Sequence, residues 1–237
     1  MAVGFDSYFE DGTSGGTSIS FTSNAGNVAG SVAANSNRAL VVALVARTIA
    51  TSPSGTWNGV SLGAAVAHHS GTSFSDIWLW VLKSPDTGAN TLAVSWTGSD
   101  TATLMAWSLY DVDQTTTYQN IQENEGTSTA LATASISTAS GNIVLAAGFD
   151  NDSVSGTFDT GAVSDVRDGR FSGNYHSAHN ASSGSSATLS GTLGSSVFWH
   201  TVGIDIIAAS AGGPGSGSDL SAVGMSEAST NLIAKVS

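Results

Sequence analysis

Apolar and polar residues alternate with a period of two along most of this chain, and Gly, Ser, Asn and Asp cut the alternation at short intervals. That pattern predicts β-strands lying half-buried on a sheet and joined by tight turns. Residues 17–22 set Ile19 and Phe21 against polar neighbours. Residues 39–47 (ALVVALVAR) form a continuous apolar run, as expected of a strand buried on both faces or central in a sandwich. Within 55–62, Asn58-Gly59 stands between Trp57 and Val60 and predicts a type I′ turn, because both residue types accept positive φ. Residues 74–83 place Ile77, Leu79 and Val81 on one face and Trp78, Trp80 and Leu82 on the other. Strand patterns continue at 91–96, 103–112, 128–137, 142–149, 186–193 and 197–208, with a turn at Pro85-Asp86-Thr87-Gly88. No segment carries a helical period. The expected fold is all-β: a single antiparallel β-sandwich of jelly-roll or Greek-key type over residues 1–208.

The composition changes at Ala208. Residues 209–219 (ASAGGPGSGSD) read as a flexible Gly/Ser-rich linker. Residues 220–237 then regain apolar side chains at Leu220, Val223, Met225, Leu232, Ile233 and Val236. These six are expected to form a C-terminal anchoring arm that docks on a neighbouring subunit; packing back on the same domain is the alternative.

Charge and cysteine content narrow the chemistry. The net charge is −12, from 6 Lys and Arg against 18 Asp and Glu. Phosphate contacts need Lys and Arg, so no nucleic-acid partner is expected, and an anionic membrane would repel the chain. No apolar run reaches the roughly 20 residues of a membrane helix. With no Cys, thiol catalysis, thiolate metal sites and a disulfide framework are excluded.

Few side-chain sets point to a reaction. Asp150 and Asp152, followed by Asp159, Asp165 and Asp168, offer hard oxygen ligands suited to Ca²⁺. The segment 149–156 (FDNDSVSG) lacks the Gly and distal Glu of an EF-hand loop, so a solvated acidic loop without cofactor is the expectation. His176 and His179 would chelate only on a helix, and none is expected there. His68 and His69 are adjacent, so on a strand they face opposite ways. His200 sits within the last strand as a hydrogen-bonded sheet histidine. Serines are too frequent to mark a nucleophile, and no G-x-S-x-G elbow is present. Glu10, Glu123, Glu125 and Glu227 read as loop or tail residues, and nothing pairs two carboxylates across a cleft. No enzymatic activity is expected. Trp78 and Trp80 share a strand face and are expected to fill a core layer. Trp57, beside the tight turn, is expected to be exposed and is the candidate glycan contact.

An ordered series of motifs carries a resemblance. Val3-Gly4-Phe5-Asp6 opens the chain and Asn37-Arg38-Ala39-Leu40-Val41-Val42 follows. After these come Trp57-Asn58-Gly59, Trp78 and Trp80, Gly88-Ala89-Asn90-Thr91, Tyr110-Asp111-Val112-Asp113-Gln114-Thr115, and Trp199 with Gly203. In this order they resemble a β-sandwich domain of uncharacterised phage virion structural proteins and bacterial surface proteins, over roughly residues 3–209. Arg is rare here, so Arg38, placed just before a buried strand, is expected to be a structural clamp on a carboxylate, and the resemblance implies Asp6 or Asp113 as its partner. It also implies a phage virion structural protein, a capsid decoration or head-fibre protein bound to the major capsid protein or other virion proteins as a homo-oligomer. A tail or baseplate appendage for host attachment, or a carbohydrate-binding surface module, is the alternative. Residues 1–16 have neither the basic stretch nor the apolar stretch of an export signal. That fits synthesis in the host cytoplasm and release by lysis.

Overall fold

The fold is that of a computed structural model, which describes residues 1–47, 51–70, 75–151, 156–158, 163–168, 174–181 and 184–210. The arm at 220–237 and most of the linker lie outside these residues.

The described chain is all-β and antiparallel, and it divides by sequence. One sheet takes β1 (Gly4–Thr22), β2 (Ala39–Ala46), β3 (Thr51–Trp57), β4 (Val60–Ser61), β5 (Ala67–Ser70), β6 (Asp76–Lys83) and β7 (Thr91–Tyr110). Its order is β4-β3-β7-β2-β6-β5, with β1 along the other side of β7. The later strands are β8 (Tyr118–Ala132), β9 (Ile136–Ser137), β10 (Ile143–Asp150), β11 (Gly156–Phe158), β12 (Val163–Asp168), β13 (Asn174–Ala181), β14 (Ser186–Ala187) and β15 (Ser190–Ile206). Six of them form the second sheet, β11-β15-β10-β13-β12 with β8 also on β15, while β9 and β14 pair as a two-stranded ribbon.

The apolar run at 39–46 is buried on both faces, and every residue of β2 is fully buried. Ala39, Val41, Ala43 and Val45 face the second sheet, where they meet Ile143, Leu145, Phe149, Val202, Ile204 and Ile206. Leu40, Val42, Leu44 and Ala46 face the other way, into a second core with Phe9, Phe21, Trp57, Trp80, Leu92 and Val94.

That second core exists because β1 and β7 bend back on themselves. Phe9 and Phe21 are twelve residues apart on β1, about 40 Å in an extended strand. Their ring centroids are 6.4 Å apart. Register shifts between Thr13 and Ser18 and the positive φ of Gly15 (69°) and Gly98 (98°) mark the bend. Past it, residues 91–97 pair with residues 18–22 on one side and with β3 on the other, forming a further layer over the outer face of β2. The patterns at 91–96 and 103–112 are therefore two halves of one bent strand.

The outer face of the second sheet is covered as well. Val144, Ala146 and Ala178 pack beneath Ile136 and Leu189 at the β9–β14 ribbon.

Candidate functional site

The Asn58-Gly59 turn forms as expected, with φ of 49° and 77°. It does not expose Trp57. The last residue of β3 points inward, so Trp57 is fully buried, stacks on Phe9 at 5.6 Å and donates its Nε1–H to the Asp86 carbonyl at 2.9 Å. Solvent reaches Val60, one residue past the turn, instead. A glycan contact at Trp57 is thereby overturned. Trp80 is core, and Trp78 is half-buried under His68, with ring centroids 3.5 Å apart.

Asp150 is not in a solvated loop. It ends β10, is fully buried, and lies 2.7 Å from Nε2 of buried His176. A carboxylate so engaged is a poor start for a Ca²⁺ site, and Asp152 lies outside the described residues. Among the described residues, no three His, Asp or Glu side chains are grouped to hold a metal ion. His176 and His179 sit on a strand, β13. His176 turns to Asp150, while His179 stacks on Phe5 at 4.1 Å.

The histidines missed by spacing meet across the sandwich. His68 and His69 do face opposite ways. His68 lies 3.1 Å from buried Asp76, on the Trp78 side. His69 points to the second sheet, with Nδ1 2.8 Å from Glu123 and Nε2 3.7 Å from Glu125. Both glutamates are on β8 and Glu10 is within β1, which corrects their reading as loop residues. Beside His69, His200 Nε2 lies 2.6 Å from Ser75 Oγ, and the two imidazole centroids are 5.2 Å apart.

Ser75 and His200 have the spacing of a nucleophile and its base, yet the surroundings do not suit that chemistry. Both are fully buried, and His200 Nδ1 has no hydrogen-bond partner to orient the ring. Burial, with a smaller contribution from His69, lowers the His200 pKa to about 3. A general base works best with a pKa near the working pH. The pair is a packing contact between the sheets.

Other polar side chains also hold the fold. Asp205 is fully buried and accepts from Gln119 at 2.9 Å, Thr138 at 2.6 Å and Asn142 at 2.9 Å. Asp6 accepts from the Ala33 amide and the Ser108 hydroxyl. Asp113 accepts from the Thr116 and Thr115 amides, which lower its pKa. Arg38 takes neither carboxylate: its guanidinium donates to the carbonyls of Asn35 at 2.6 Å and Pro85 at 3.2 Å. The clamp is present, but it closes on backbone, because Asp6 and Asp113 are satisfied by nearer donors.

A cleft of about 340 Å³ lies on the outside of the layer formed by the far halves of β1 and β7 with β3 and β4. Alternation places Ile19, Phe21, Leu92 and Val94 in the core and leaves Ser18, Ser20, Ala93 and Ser95 outward. Ser54, Thr56 and Ser61 complete the lining. The residues gathered there are far apart in sequence, so only the strand register reveals them. Compared with known protein families, curated proteins and solved structures, the chain matches none.

Proposed function

We propose that this chain is a phage virion structural protein, a capsid decoration or head-fibre protein that works by presenting and burying surface. The observation that carries this reading is where the ionisable side chains go. Asp6, Glu10, Asp113, Asp150 and Asp205 each bind a neighbour within the sandwich, and His69 reaches from one sheet to the carboxylates of the other. The layer outside β2 instead presents neutral hydroxyls. A rigid surface with few charged side chains suits a protein displayed in many copies, where symmetry converts a weak contact into avidity. The ordered motif series from Val3 to Gly203 supports the virion class, and the apolar residues at 220–237 would supply the anchor.

Virions lacking the chain, incubated with the full chain or with residues 1–210, test this by cryo-electron microscopy and co-sedimentation. Full-length protein at regular lattice points, with the truncated form folded but unbound, is the expected result. Equal binding by both forms overturns the anchoring arm, and no binding by the full chain overturns the virion reading. A second reading, a carbohydrate-binding module at a tail tip or cell surface, is favoured by the uncharged cleft.

A further inference from the structure

We infer that the cleft over β1, β7, β3 and β4 is a binding site for a neutral saccharide, an assignment that rests on the carbohydrate-binding reading. Its lining is a regular grid. Ser18, Ser95 and Ser54 are ladder neighbours in one row, and Ser20, Ala93, Thr56 and Ser61 form the next. Residues opposite one another on a ladder share a face, so each row crosses the strands at about 4.8 Å intervals, with rows about 7 Å apart along them. Four strands span about 14 Å, enough for a short oligosaccharide. The volume of about 340 Å³ falls within the range of small-molecule sites.

The fold makes little use of these hydroxyls. Four serines elsewhere serve the fold: Ser7 donates to the Ser31 carbonyl, Ser23 to Gly30, Ser108 to Asp6 and Ser128 to Ala130. Among the described residues, no hydrogen bond engages the hydroxyls of Ser18, Ser20, Ser54, Thr56 or Ser95; Ser61 accepts only from the Gly63 amide. Each free hydroxyl both donates and accepts, as sugar hydroxyls do. Beneath them Ile19, Gly55, Trp57 and Val94 are packed in the core, so the grid is held before any ligand arrives.

The same lining selects the ligand class. It contains no charged side chain, and the chain carries −12, so an anionic sugar or a phosphate finds no counter-charge. It offers no aromatic or Arg anchor of the kind that dominates protein interfaces. Binding through neutral hydroxyls to one cleft is weak, in the millimolar range, and becomes useful when copies are displayed together.

The test is amide chemical-shift mapping of the full chain, titrated to solubility with hexasaccharides of α-1,4-glucose, β-1,4-glucose, N-acetylglucosamine and mannose, with hyaluronan as the anionic control. At least one neutral sugar should shift the amides of Ser18, Ser54, Thr56 and Ser95. The triple variant Ser18→Ala, Ser54→Ala, Ser95→Ala should bind at least tenfold more weakly. Thr56→Val, which keeps the shape and removes one hydroxyl, should weaken binding severalfold if the triple variant does not fold. Shifts that map elsewhere overturn the cleft while the carbohydrate-binding reading survives. Binding of hyaluronan alone overturns the cleft assignment, and no binding of any sugar overturns both.

Discussion

Burial of His200 makes it a sensor of folding. Its pKa falls from 6.5 to about 3 because the charged imidazolium would be stranded between the sheets. The sign of the linkage follows. Between pH 6.5 and 3 the unfolded chain binds a proton that the folded chain refuses. The contribution of the neutral ring is therefore complete above about pH 6.5 and is lost progressively as pH falls toward 3, roughly several kcal/mol in all. His200→Gln retains an amide for Ser75 and cannot titrate. Urea unfolding of both forms at pH 7, 5 and 4 should show the variant losing less stability, and parallel losses would exclude the assignment. Trp57 is a second residue whose role changes with its burial. Trp57→Ala should cost about 3–5 kcal/mol in unfolding free energy, the penalty of emptying a large core site. An exposed glycan contact would cost almost nothing.

At the scale of elements, Asp205 fastens four of them. It lies on β15 and accepts from Gln119 on β8, from Thr138 just past β9 and from Asn142 just before β10. Asp205→Ala leaves two buried donors, Thr138 and Asn142, without their acceptor, frees the exposed Gln119 amide to solvent, and should cost roughly 2–4 kcal/mol. Hydrogen exchange should accelerate most in β9 and β14, and uniform acceleration across both sheets would show that the contact is not local. The sequence made part of this architecture legible. Residues 39–46 announced a strand with two buried faces, and 77–82 gave the correct face for every side chain, because burial imposes the period directly. The bend in β1 and β7 was hidden, since each half carries its own alternation and nothing local says that the halves continue one strand. β8 was hidden at its start because the alternating residues there are Gln, Glu and Asn, held to the sandwich by polar contacts. The grid at Ser18, Ser54 and Ser95 was out of reach for the same reason: it is defined by register between strands, which one strand's pattern cannot contain.

At the scale of the molecule, the described chain divides its sequence between two large sheets yet shares one core between them. Val41, Met105 and Trp107 of the first sheet and Leu145, Val202 and Ile204 of the second belong to the same buried cluster. Neither sheet can shed the other without exposing its own inner face, so both should unfold in a single cooperative transition. The tryptophans allow each sheet to be followed. Trp57, Trp78, Trp80, Trp96 and Trp107 lie in the first sheet and Trp199 alone in the second. In Trp199→Phe, fluorescence therefore reports the first sheet, while far-ultraviolet circular dichroism reports both. The two midpoints should coincide. Adding Ile204→Ala, a cavity on the second-sheet side worth about 2–5 kcal/mol, should lower both midpoints equally, although no tryptophan remains in the altered sheet. A fluorescence midpoint that stays in place while the dichroism shifts would mean that the first sheet, with its own second core behind β2, stands without the other half.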